Sequence, residues 1–167
     1  RKNEMKRIIL ITIILLSYIS NAHSQHFDYE KIASHPRLLL PKGEENKIKQ
    51  GIDANSSLQN VHKRIINECD EFLRQPPVER VMEGKRLLAI SRIALKRIYY
   101  LSYAYRIMDD ERYAQRAKEE MLAVCDFQDW NPSHFLDVGE MVMGLAIGYD
   151  WLHTYLDEQT KLKICNA

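Results

Sequence analysis

The chain has 167 residues, 46% hydrophobic and 28% charged, with 24 Lys and Arg against 23 Asp and Glu. That length and balance suit one modest domain with a real core, and they exclude a disordered tail. They also exclude bulk electrostatic binding to nucleic acid or anionic membrane, so an anionic ligand must be met by a local patch.

The first 24 residues read as a leader. Arg1 to Glu4 precede a candidate initiator, Met5, which is followed by the basic pair Lys6-Arg7 and an apolar run from Ile8 to Ile19. The run is short for a bilayer span, which takes about 20 residues. It exits through Asn21-Ala22-His23-Ser24, with small Ala22 and Ser24 placed as a signal peptidase requires. A basic start, an apolar middle and a small-residue exit predict export to the periplasm or the medium. The alternative is an uncleaved N-terminal anchor; a lipoprotein anchor is not expected, because no cysteine follows the run. No stable membrane anchor would then outlast cleavage. Loss of Arg1, Lys2, Glu4, Lys6 and Arg7 with the leader leaves 20 basic and 22 acidic residues. Cys69, Cys125 and Cys165 are odd in number and lack metal-like spacing. They read as buried small hydrophobes, although export would permit one disulfide.

Residues 25–41 form an extended lead-in containing His35-Pro36-Arg37-Leu38-Leu39-Leu40-Pro41, with Leu38 to Leu40 expected on the core. Helical signals begin at Lys42, in a helical domain over 42–167. A polar helix is predicted over 44–54, then a second, capped by Ser56 or Ser57, to about Arg74, where Gln75-Pro76-Pro77 stops it. A third spans about 86–108, with Leu87, Leu88, Ile90, Ala94, Leu95, Ile98, Leu101 and Ile107 on its apolar faces. Asp109-Asp110 turns the chain into a fourth over 111–127. The loop Gln128-Asp129-Trp130-Asn131-Pro132-Ser133-His134 leads to a fifth over 135–155, and Asp157 caps a sixth. Without β alternation the fold class is all-α, as antiparallel helical hairpins in a stack or ring. Gly139, Gly144 and Gly148 predict close helix approach.

The loop 128–134 opens into a helix N-terminus, where free N–H groups and the dipole favour anions. Asn131 and His134 can donate to carboxylate or hydroxyl groups, and Trp130 can offer a flat face to a sugar. The alternative is structural: Ser133 as an N-cap, Trp130 in the core, Asp137 and Glu140 offsetting the dipole. His134, Asp137 and Glu140 step by three residues, which is not a standard zinc arrangement, so no metal site is expected. The third helix carries Arg92, Lys96, Tyr99, Tyr103 and Arg106 at steps of three and four. Such a stripe suits a polyanionic sugar chain, or else is an ordinary exposed basic face.

Four segments resemble the heparinase II/III-like polysaccharide lyases: His35-Pro36-Arg37-Leu38-Leu39-Leu40, Leu88-Ala89-Ile90-Ser91-Arg92-Ile93-Ala94-Leu95-Lys96-Arg97, and the run Asp129-Trp130-Asn131-Pro132-Ser133-His134-Phe135-Leu136-Asp137-Val138-Gly139-Glu140-Met141 with Ala146-Ile147-Gly148-Tyr149-Asp150-Trp151-Leu152. The resemblance implies an exported lyase with an incomplete (α/α) toroid followed by β-sandwich domains. It would cleave uronic-acid polysaccharides, glycosaminoglycan or alginate-like, by β-elimination, with no cofactor. It also implies that the principal catalytic groups follow the Tyr149-Asp150-Trp151 segment, beyond this fragment, which alone would then be inactive. Arg92, Trp130, Asn131 and His134 are carried over as substrate contacts, and His134 as a candidate base. Two other readings are a helical-repeat binding module, since 94–121 looks like one tetratricopeptide hairpin, and a glycoside hydrolase using Asp137 and Glu140. The first lacks a recurring period of about 34 residues, and the second has its carboxylates close together on one helix.

Overall fold

Among the described residues six helices form where apolar residues recur at three- and four-residue steps: α1 (Glu45–Ala54), α2 (Ser56–Phe72), α3 (Leu88–Met108), α4 (Glu111–Cys125), α5 (Phe135–Trp151) and α6 (Glu158–Cys165). They belong to a computed structural model that describes residues 31–167; the predicted leader lies outside the described residues. No strand occurs among the described residues, so the unit Ser34–Ala167 is all-α.

Asn55, not Ser56 or Ser57, caps α2, its Oδ1 accepting from Ser57 N at 2.9 Å and Leu58 N at 3.1 Å. Asp109, at φ 57°, ends α3 in the left-handed region, and Asp110 then caps α4 through Arg112 N. Asp157 caps α6 as predicted, accepting from Thr160 N at 2.8 Å.

α3 is the central element and packs most extensively against α5 and α4; α2 lies on α3, and α6 covers α4. Ile98, Leu101, Met121, Val124, Met141 and Leu152 fill the interior between them. Two of the three glycines in α5 permit the α3–α5 approach. A Cβ on Gly148 would sit 2.6 Å from Ile98 Cγ2 and 2.5 Å from Met121 Sδ, and one on Gly144 would sit 3.2 Å from the Leu95 backbone. Gly139 corrects the expectation, because a Cβ there meets nothing within 4 Å. Gly148→Ala is therefore expected to destabilise by about 1–3 kcal/mol through overpacking. Gly139→Ala should instead stabilise by up to about 1 kcal/mol through helix propensity. Urea midpoints that moved in the same direction for both would refute this account.

The turn between α2 and α3 is locked by buried charge. Glu120 is fully buried on α4; its Oε2 accepts from Val78 N at 2.9 Å, and its Oε1 accepts from Arg97 at 2.8 Å and Arg116 at 2.7 Å. The same guanidiniums donate to the carbonyls of Phe72, Gln75 and Pro76. Prolines 76 and 77 offer no N–H of their own, so arginines on α3 and α4 satisfy the turn's acceptors.

The lead-in does not run as three core leucines. Leu40 is buried, but Leu39 is 70% exposed, at φ 57°, and Leu38 is exposed too. What holds the segment is polar: Arg106 donates to Leu40 O and to Glu45, with its guanidinium 5.2 Å from the Trp151 ring. Arg106 is thus buried and leaves the predicted basic face. Cys69 is buried, Cys125 partly so and Cys165 exposed; all three are free thiols. Burial pushes the thiol of Cys69 up to about 12 and that of Cys125 to about 11, so neither is a nucleophile near neutrality.

Candidate functional site

Three acids stand in the otherwise apolar helix α5, and each is tied to another element. Asp137, in the first turn and fully buried, accepts from Leu87 N at 2.8 Å and Asn131 Nδ2 at 2.7 Å through Oδ2. Its Oδ1 lies 2.8 Å from His134 Nδ1. One carboxylate thus fixes the loop, the start of α3 and the His134 ring together. Burial alone would raise the Asp137 carboxyl; the bonds from Leu87, Asn131 and His134 outweigh it and hold it below its ordinary value.

The loop owes its path to Asn131, which sits at φ 56°, a conformation asparagine tolerates better than most residues. Its side-chain nitrogen also donates to Lys85 O at 2.9 Å, and its side-chain oxygen accepts from Ser133 Oγ at 2.8 Å. Ser133 therefore braces the loop rather than capping α5, whose N-cap position is His134. Asp129 accepts from Asn131 N and Arg80, and these bonds hold its carboxyl below the usual range. Trp130 donates Nε1 to Val124 O at 3.0 Å.

Of the predicted contacts, Trp130, Asn131 and His134 come together on this loop, and Arg92 lies along the α3–α5 seam. Arg92 Nε donates to Glu140 Oε1 at 3.3 Å, with 62% of its side chain exposed, while Ser91 Oγ donates to Glu140 Oε2 at 2.7 Å. Asn131 is buried with both donor hydrogens engaged, so its amide serves the loop in this arrangement. His134 is part-exposed, and its second ring nitrogen makes no hydrogen bond among the described residues. Trp130 stands between two grooves of about 420 and 250 Å3, the larger also lined by Arg37, Leu145 and Tyr149.

The stripe on α3 is charge-paired along its length: Arg92 with Glu140, Lys96 with Glu68 and Arg106 with Glu45. Asp137 and Glu140 are held by separate partners, Leu87 N and Ser91 Oγ, whereas a hydrolase pair would face one cleft. Among the described residues no cluster of His, Cys, Asp and Glu is placed to hold a metal ion, and no helix is long and apolar enough to cross a membrane. The cluster that sequence reasoning did not see is His35, His153 and Asp150; its visible signal was Asp150 within an apolar helix, where an acid needs partners. No protein-family model matches the chain, and no curated protein matches it.

Proposed function

We propose that the chain is the N-terminal, toroid-forming part of an exported lyase that cleaves uronic-acid-containing polysaccharides by β-elimination. The reading rests on the four segments that resemble heparinase II/III-like lyases, and the observation that carries it furthest is the His134–Asp137 pair. A buried carboxylate orients the imidazole through Nδ1 and leaves the other nitrogen bare on a part-exposed ring, an arrangement suited to taking a proton. The resemblance sets the principal catalytic groups after Tyr149-Asp150-Trp151; among the residues before them, His134 is the candidate to remove the uronate C5 proton. The C4–O bond breaks as the C4=C5 double bond forms, and the departing oxygen takes a proton from a general acid. Arg92 would face the C6 carboxylate, exchanging its exposed contact with Glu140 for the substrate.

The saturated amide of Asn131 and the charge-paired stripe on α3 favour a second reading, a non-catalytic helical module that binds carbohydrate or protein. The ultraviolet absorbance of the unsaturated uronate product separates the two. The chain, and a version extended through the following reading frame, would be incubated with a panel of uronic-acid polysaccharides. The lyase reading expects product from the extended protein; His134 as its base further expects a loss of at least about 100-fold in His134→Ala, the scale of a general base. Product formation that survives His134→Ala removes His134 as the base. No product from a folded extended protein, with polysaccharide still bound, leaves the binding module.

A further inference from the structure

The lead-in is gripped at the far end of α5 by a cluster that takes no part in the proposed reaction. Buried Asp150 accepts from Arg37 N at 2.9 Å and Leu38 N at 2.8 Å, and its Oδ1 meets His35 Nδ1 at 2.5 Å. The His35 ring lies face to face with that of His153, centroids 4.1 Å apart and planes 10° from parallel. Tyr149 closes the edge of both rings, at 5.7 and 5.4 Å. Trp151 Nε1 donates to Leu38 O at 2.8 Å, so the indole senses the same segment.

We propose that the stacked pair His35–His153 is a proton-operated latch, holding residues 35–38 on α5 near neutral pH and releasing them when His153 takes up a proton. Asp150 stands against His35 and is committed to the lead-in, so a proton on His153 brings positive charge into a part-buried site, face to face with a ring 4.1 Å away. The surrounding groups offer little relief. From α5 come Asp150, whose oxygens already serve the lead-in, and Tyr149, which is neutral in this range and raised further by burial. From α6 come Lys161 and Glu158, paired with each other at 2.8 Å.

Burial, then the neighbouring His35 and Lys161, hold His153 below the ordinary histidine value, with Glu158 and Asp150 pulling weakly the other way. A histidine lowered in this way binds its proton more readily when the segment is loose. Its cost therefore begins as pH falls below about 6.5 and grows until the latched value is passed. Release would open one wall of the 420 Å3 groove, which His35, Arg37 and Leu38 help to line. This inference stands apart from the lyase reading.

The test is amide hydrogen exchange in the whole chain at Arg37 and Leu38, the two amides bonded to Asp150, between about pH 7.5 and 5. After correction for intrinsic exchange, their protection is expected to fall at least tenfold while α3 stays protected. His153→Phe keeps a stacked ring without a titratable nitrogen and should make that protection flat across the range. If the variant fails to fold, NMR titration of His153 in the wild-type chain decides, since loss of protection should follow its midpoint. Constant protection while His153 titrates, or an unchanged pH response in folded His153→Phe, would overturn the proposal.

Discussion

Glu120→Ala is expected to cost about 3–5 kcal/mol, the scale for removing one partner from a buried ionic cluster. The loss leaves Arg97, Arg116 and Val78 N without their common acceptor in a site where water cannot replace it. Few single changes reach this size, and against a total stability of about 5–15 kcal/mol it is a large fraction. The thermal midpoint should fall by roughly 10 °C or more. Glu120→Gln keeps an acceptor and should fall between wild type and alanine. The damage should start in the turn 73–78, where amide exchange would accelerate first. A change under about 1 kcal/mol would mean that the two guanidiniums find other partners, and the clamp would have to be abandoned as the lock on this turn.

The second large effect is at Asp137. Alanine there strands Leu87 N, Asn131 Nδ2 and the His134 ring, each a buried or part-buried donor worth about 1–3 kcal/mol when left unmet. A loss of about 3 kcal/mol or more is expected. It also carries a pH signature. The folded carboxyl lies below its ordinary value, so its stabilising contribution is complete above the unfolded carboxylate value and disappears as pH falls through the folded one. Wild type should therefore lose stability in acid below about pH 5, and Asp137→Asn should lack that component. Urea midpoints across the range, with equal slopes for both proteins, would refute the assignment. If His134 is the base, Asp137→Asn should also lower product formation by more than its stability loss explains, because the imidazole loses the group that orients it.

The helices themselves were legible because their apolar spacing is local information. Their ends were less so, for reasons that reach across the chain. The third helix begins at Leu88 rather than near Arg86, since Leu87 N is capped by Asp137 from fifty residues away. The fifth ends at Trp151 instead of running to Tyr155, as the chain turns through residues 152–155 ahead of Asp157. Asn55 took the cap that either serine was expected to supply, although both residue types make good caps. The basic stripe on α3 was legible only in part, because periodicity says which side chains share a face and nothing of the acids opposite; Glu45 and Glu68 lie on other helices. The loop 128–134 does lie between two helices as its composition suggested, yet the inward turn of Asn131 depends on a left-handed backbone that its neighbours do not announce. Gly139 and Gly148 are chemically the same signal in the sequence, and only the neighbour facing each one distinguishes them.

The placement of Asp137 and Asp150 has a mechanical consequence. They lie thirteen residues apart on α5, about 20 Å along its axis and roughly 140° around it. One is fastened to the start of α3 and the loop, the other to the lead-in. Two pins on different sides of a rod, anchored to different bodies, prevent it from sliding and from rolling. α5 is then the fixed spindle of this unit, and any working motion belongs to the segments fastened to it.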